Sequence, residues 1–338
     1  MQLVVLSLLA WKGRWLAARL RPLTKGTVRT GVAVGLACEL AVWAATRPLG
    51  FAWHWWRLDH GISHQGYAAW FLDSTTALGV RLVLYGLAIA GVVWLAVRFG
   101  RRWWIVASPI LVVLSVVFIL IQPLVFQPLF NDYEPLPDKK LAADVQRLAD
   151  QMGVDIETVQ VSDASRRTTA ANASVAGIGP TRRVVFDDTI LDGRFPEAEV
   201  LAVTAHELAH VERRHLWKGL AWFALLAIPG LALVAWVTER HGGLREPGVV
   251  PLGLLVALLF LLLTSPLQNA VSRRYEAEAD WLALEATKDP DAVAGLERRL
   301  ALTSLGDPDP PRWVVLTLST HPSTMKRIAM AEAYRSRP

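Results

Sequence analysis

The 338-residue sequence predicts a mainly α integral membrane protein of about five transmembrane helices, with an α+β soluble portion interrupted by a membrane-spanning hairpin. Three observations carry that expectation. Hydrophobic residues make up 53% of the chain and charged residues only 19%, with a mean hydropathy of +0.33, a balance that suits a membrane protein better than a soluble enzyme. Five apolar runs approach the roughly 20 residues that a bilayer-crossing helix needs. At Pro128-Leu129-Phe130-Asn131-Asp132 the composition turns polar, stays so to about residue 215, and turns polar again after Pro266.

Charge and cysteine usage narrow the class further. The net charge of +5 is modest and dispersed, so basic residues flanking membrane spans account for it and nucleic acid is not an expected partner. One cysteine, Cys38, excludes an internal disulfide and any cysteine-rich metal site. Fifteen tryptophans, several at the ends of apolar runs, fit an interfacial aromatic belt.

Residues 1–11 are apolar but too short to span, and Lys12, Arg14, Arg19 and Arg21 follow them, whereas a secretory signal carries its charge first. The stretch 1–28 therefore reads as an interfacial helix. The first span, 30–46, contains Glu39, a carboxyl that either faces protein or water or snorkels from one end. Residues 47–74 are too polar to span and read as a loop plus an amphipathic interfacial helix. His54, His60 and His64 there have no neighbouring carboxylate or cysteine cluster and read as solvated loop residues. Two spans follow at 78–97 and 103–126, joined by the basic turn 98–102, with Arg81 placed to snorkel.

In the soluble stretch, Leu141, Val145, Leu148 and Met152 mark an amphipathic helix over 137–152. A strand is expected at 158–162 and a strand pair at 171–178 and 183–186, turning at Gly179-Pro180-Thr181. Phe195-Pro196 opens a helix over 197–215. Apolar runs at 216–237 and 249–267 form the inserted hairpin, with Pro229 as a source of a kink. Helices at 268–287 and 290–301, a proline-rich loop at 307–311 and a last helix from about 322 complete the chain. Domain boundaries are expected as 1–127 (membrane region), 128–215 (first soluble part), 216–267 (hairpin) and 268–338 (second soluble part).

The chemistry is concentrated in Thr204-Ala205-His206-Glu207-Leu208-Ala209-His210. Histidines at i and i+4 share one helix face and can close on a single zinc ion, and the glutamate after the first is placed as general base for bound water. A hydrolytic zinc site wants a third protein ligand. A histidine ten residues after His206 would complete the metzincin pattern, but Leu216 stands there, Arg213 replaces the glycine, and His215 is one residue off. Glu276 is the better supplier. It shares a helix face with Asp280 while Glu278 points elsewhere, so one of the two can bind the metal and the other orient a ligating histidine.

With these residues in place, the chain resembles the membrane-embedded zinc metalloproteases that include the HtpX proteases and the type-1 CAAX prenyl proteases. Five segments carry the likeness: His206–His210; Asn269, Ser272-Arg273, Glu276 and Asp280; Gln127-Pro128-Leu129-Phe130-Asn131 with Pro135-Leu136-Pro137; His60-Gly61 with Trp70 and Asp73; and Thr320-His321-Pro322 with Arg327. The sequence departs from the prenyl-protease pattern at the N-terminus, where that branch carries further spans. The resemblance implies a zincin-like fold of gluzincin type and one zinc ion held by His206, His210 and Glu276, with Glu207 as base. It also implies Asp280 holding a ligand histidine, His321 stabilising the oxyanion with Arg327 behind it, and Asn172, Ala173, Ser174, Val175 and Gly177 forming an edge strand to which substrate pairs.

The expected function is zinc-dependent hydrolysis of peptide bonds in membrane proteins or lipidated peptides at the bilayer. Prenyl-peptide processing is the alternative branch, and a catalytically silent scaffold is the rival of another class. Intact Glu207 and ligands weigh against the scaffold. The flanking charges Glu197, Glu199, Glu212, Arg213 and Arg214 weigh against an intramembrane zinc site. By the positive-inside rule the basic segments 11–29 and 98–102 lie in the cytoplasm and the zinc region faces outward. The resemblance places the zinc region in the cytoplasm, which is the orientation expected here, in a plasma membrane of a bacterium whose Ala-, Leu- and Arg-rich composition suggests high genomic GC.

Overall fold

In the computed structural model, which describes residues 1–337, the apolar runs become long helices. The first helices are α1 (Gln2–Trp11), α2 (Gly13–Leu20), α3 (Thr27–Asp59), α4 (Tyr67–Phe99) and α5 (Trp103–Ile121). The soluble stretch gives β1 (Tyr133–Pro135), α6 (Lys139–Gln151), β2 (Thr158–Ser162), β3 (Ala173–Ala176), β4 (Arg183–Asp187) and α7 (Glu197–Glu212). The remainder is α8 (His215–Glu239), α9 (Val250–Thr287), α10 (Pro290–Ser304), α11 (Arg312–Thr317) and α12 (Thr324–Arg335). Among the described residues, four stretches are long and apolar enough to cross a membrane: Thr27–Asp59, Tyr67–Leu129, His215–Glu239 and Pro247–Thr287. The second holds two helices, α4 and α5, broken at Gly100, whose φ of 54° is left-handed.

The chain forms two compact units. Unit 1 is Met1–Trp56, Gly66–Val116 and Leu220–Thr264. Its centre is a buried cluster that includes Val34, Val93, Trp103 and Val250. α3 and α4 run antiparallel, with Val93 over Gly31 and Ile89 over Gly35. Glu39 faces protein: Arg81 of α4 sits 3.0 Å away, so the intramembrane carboxyl is paired across helices. Residues 47–59, with Arg47, His54, Arg57 and Asp59 among aromatics, continue α3 instead of forming a loop. Polarity marks where a helix leaves an apolar layer, not where it stops, and the stop comes at Gly61 with φ of 69°. His54 is therefore buried and not solvated, stacked on Trp70 at 5.0 Å with Tyr67 edge-on.

Unit 2 is Arg57–Gln65, Val117–Gly219 and Ser265–Pro338. Its sheet has the order β1-β2-β4-β3, with β2 and β4 parallel and the outer pairs antiparallel. β4 is central and supplies the fully buried Val184 and Phe186, which join Val145 of α6, Leu208 of α7 and Leu284 of α9 in one core. β3 is an edge strand. The Asp138 side chain caps α6 by accepting the Lys140 and Leu141 N–H groups at 2.9 and 3.0 Å. α7 is pinned near its start by Glu199, whose buried carboxylate meets Arg299 of α10 at 2.9 Å. The end of α3 and the loop after it, residues 57–65, are fastened to the segment between β2 and β3, Ser63 Oγ donating to Arg167 O at 2.7 Å and Thr169 N to Ile62 O at 3.0 Å.

Two helix boundaries differ from expectation. α9 runs unbroken through Pro266, joining the apolar run and the following polar helix: no residue near it is left-handed among the described residues, and Thr264 Oγ1 turns back onto Phe260 O at 2.9 Å. α7 ends at Glu212, three residues early, because Arg214 adopts a left-handed φ of 56° and restarts the chain as α8 at His215. The β3–β4 turn supplies a stability test. A Cβ on Gly177 (φ 85°) would lie 2.2 Å from Thr181 O, whereas one on Gly179 (φ 58°) meets nothing within 4 Å. Gly179→Ala should cost about 1–2 kcal/mol for the left-handed backbone alone. Gly177→Ala should cost clearly more, read as a larger loss of thermal stability in detergent.

Candidate metal centre

α7 and α9 carry the site. His206 and His210 fall on one stripe of α7, with Glu207 beside it, and Glu276 and Asp280 on one stripe of α9, each pair about one helical turn apart. One nitrogen from each histidine and one Glu276 oxygen lie within 4.8 Å of one another. His206 Nε2 is 3.1 Å from His210 Nε2 and 3.3 Å from Glu276 Oε2, and His210 Nε2 is 3.6 Å from Glu276 Oε1. The donor set is two imidazoles and a carboxylate, and the buried Glu276 Oε2 has only imidazole nitrogens near it, at 3.2 and 3.3 Å and poorly aligned, an under-satisfied acceptor of the kind a cation satisfies. The residues present fit a metal ion.

Both histidines are held from behind. His206 Nδ1 is 2.9 Å from Asp280, which Arg327 clamps through Nε at 2.8 Å and through Nη2, while Arg327 Nη1 reaches Glu297 at 2.8 Å. Burial disfavours a charged His206, but Asp280 and Glu276 overcome it and push its pKa up to about 9. Burial and the neighbouring His206 push His210 down to about 4. Burial raises Glu207 above the ordinary carboxylate value, partly opposed by His206 and by the Val175 N–H that its carboxylate accepts. That contact puts Glu207 against the backbone of edge strand β3.

His321 comes to the mouth of the site with its side chain 57% exposed and Nε2 3.2 Å from Glu276 Oε2. Its Nδ1 is 2.8 Å from Thr320 Oγ1. The segment that delivers it is fastened to α9. Arg273 donates to Val315 O and Ser319 O at 2.7 Å each, and Asn269 donates to Thr317 O at 2.7 Å. Asn269 and Arg273, quoted above only as part of a motif, therefore act by holding the His321 turn.

The expected residues of this centre come together: His206, Glu207, His210, Glu276, Asp280, His321 and Arg327. Val175 adjoins them, and Asn172 and Ser174 line a neighbouring cavity of about 360 Å³. Two residues were missed in their role. His215, rejected as a ligand, places Nδ1 2.9 Å from His210 Nδ1, and its Nε2 is 3.2 Å from Glu278. Tyr275 stacks on its ring at 4.5 Å, and Arg213 sits 3.4 Å from Glu278. The chain His210–His215–Glu278 closes when His210 carries its proton on Nδ1, which leaves Nε2 free for a metal. The i+5 spacing gave no helical signal because the left-handed turn at Arg214 creates the contact.

The chain is similar to known proteins over most of its length. The profile of peptidase family M48 matches residues 135–335, and that of the CAAX prenyl protease N-terminal region, described as five membrane helices, matches residues 3–132. The metalloprotease YhfN of Bacillus subtilis is 31% identical over 303 residues, covering 87% of this chain and 71% of the relative. A CAAX prenyl protease 1 homolog of Arabidopsis thaliana is 28% identical over 237 residues, covering 67% of this chain and 55% of that one. The crystal structure of S. mikatae Ste24p matches with a TM-score of 0.82 at 19% identity, over 91% of this chain and 77% of that one, a likeness of fold.

The supports behind the histidines generate a prediction. Asp280→Asn and His215→Phe should each weaken metal binding about 10–100-fold, because each frees a ligand ring to rotate or change tautomer. Chelator competition on the purified protein measures this without reference to activity.

Proposed function

The chain belongs to peptidase family M48, and on that premise we propose that it is a zinc-dependent membrane endopeptidase acting on membrane proteins or lipidated peptides. One observation carries the reading: donor atoms of His206, His210 and Glu276 converge within 4.8 Å, beside a Glu207 carboxylate that also touches edge strand β3. Two imidazoles and a carboxylate with a fourth position open form the donor set of a hydrolytic zinc site, and zinc seated there supplies the positive charge that acidifies water and polarises a carbonyl.

The rest of the chemistry belongs to the chain. Asp280 and His215 fix the rings of His206 and His210. Glu207 takes the proton of the attacking water and delivers it to the leaving amine nitrogen. His321 donates from Nε2 to the oxygen that gains charge in the tetrahedral state, while Nδ1 accepts from Thr320. Arg327 keeps Asp280 in place. The outer edge of β3, with Asn172, Ala173, Ser174, Val175 and Gly177, offers backbone groups to an extended peptide, a mode of binding that reads the main chain more than the side chains.

Relatives named CAAX prenyl proteases and the match over residues 3–132 support prenylated peptides as a substrate class beside membrane proteins at large. The protein is a multi-pass membrane protein. Following the resemblance, we place its catalytic part on the cytoplasmic side of a bacterial plasma membrane; a C-terminal tag open to protease on intact cells would reverse that orientation.

Glu207→Gln should retain zinc and lose about 10²–10⁴-fold in turnover, the usual worth of a general base. The assay offers detergent-purified protein an unfolded membrane protein and a prenylated peptide side by side. Cleavage unchanged in the variant would remove Glu207 from its role, and the preferred substrate decides between the two branches.

A further inference from the structure

Basic charge gathers at one end of unit 1. Segments 11–29, 98–102 and 239–249 carry eleven Lys and Arg side chains against two Glu. Packing within the unit puts them together: Arg101 reaches Glu239 at 3.6 Å, Gly31 meets both Val93 and Val250, and α2 lies against the connection between α8 and α9. Between α2 and that connection is a cavity of about 580 Å³ lined by Arg14, Arg21, His241, Gly242, Arg245 and Glu246.

The walls of this cavity are fixed by backbone contact. A Cβ on Gly13 would lie 2.1 Å from Gly248 O, and one on Gly248 would lie 2.8 Å from the Arg14 Cα, so α2 and the connection touch with no side chain between them. Its cations are only partly neutralised. Arg245 grips Glu239 through both terminal nitrogens at 3.2 and 3.0 Å. Arg21 has a single exposed contact to Glu246 at 3.4 Å, a pair of little worth in water. Arg14 has no carboxylate within 4 Å among the described residues. Guanidinium groups left in this state match the geometry of phosphate oxygens.

Close in sequence to the lining residues Arg14 and Arg21 are Trp11, 76% exposed, and Leu23, 81% exposed, with Lys12 over the Trp11 ring at 4.2 Å and Arg19 over the exposed Trp15 at 5.5 Å. Exposed aromatics topped by cations next to apolar α1 are what a membrane interface stabilises. A phosphate held here would have acyl chains alongside. We propose that this cavity binds the phosphate-bearing headgroup of an anionic membrane lipid, with Arg14 and Arg21 on the phosphate and Trp11, Trp15 and Leu23 along the chains. The site is independent of the protease reading.

The test is native mass spectrometry of the full-length protein in detergent, offered phosphatidylglycerol, phosphatidylcholine of the same acyl chains, or inorganic phosphate. Phosphatidylglycerol should be retained in preference to phosphatidylcholine. Arg14→Gln and Arg21→Gln should each weaken that retention about fivefold, the factor equivalent to about 1 kcal/mol per cation at a membrane surface. Glu246→Gln should strengthen it, a gain that misfolding cannot imitate. Lys25→Gln, which removes the same charge outside the cavity, should leave retention unchanged. Equal retention of the two lipids, or a Lys25→Gln loss as large as that of Arg14→Gln, would overturn the site. Displacement of phosphatidylglycerol by an equal concentration of inorganic phosphate would overturn the lipid as the ligand.

Discussion

Taking Glu276 and Asp280 out of water is the constraint around which unit 2 is arranged. They lie one turn apart on α9, 8% and 3% exposed, and two buried carboxylates so close are costly unless cations or donors meet both. Asp280 is met by Arg327 and by the His206 ring, and Arg327 in turn is balanced by Glu297. Glu276 faces only imidazoles, and one of its oxygens is left under-satisfied. The carboxylate with full protein partners is the one that orients a ring, and the one left short is the one suited to a metal. The same constraint brings α10 and α12 into the site, since Glu297 and Arg327 come from those helices.

The candidate metal centre was legible in the sequence because its residues are written in local periods. His206 and His210 obey the spacing of one turn, and so do Glu276 and Asp280, so each pair announces a helix face without knowledge of the fold. His321 and Arg327 came from resemblance alone, since nothing in their own stretch points to a partner more than forty residues upstream. His215 and Glu278 illustrate what spacing hides. A non-glycine residue in a left-handed conformation, Arg214, turns the chain between His210 and His215, and no propensity rule places a bend there.

In the membrane part, the apolar runs were readable by length and composition, while the helix ends were not. Residues 47–59 extend α3 because backbone hydrogen bonding continues past the apolar run 30–46, until the chain turns at left-handed Gly61. The cost of leaving a carboxyl in such a span explains why Glu39 and Arg81 meet, although sequence alone left Glu39 open between protein, water and the interface. Unit 1 and unit 2 therefore meet the same problem, a carboxylate away from bulk water: Glu39 and Asp280 are each paired with an arginine, while Glu276 is left facing imidazoles.

The most direct test of the account is the metal itself. X-ray absorption at the zinc edge, with metal analysis, on the purified full-length protein should find one zinc per chain in a four-coordinate shell of nitrogen and oxygen donors at roughly 2.0–2.1 Å, with the outer-shell scattering of two imidazoles. A protein that holds no zinc after purification and reloading, or zinc in a six-coordinate all-oxygen shell, would contradict the assignment of His206, His210 and Glu276.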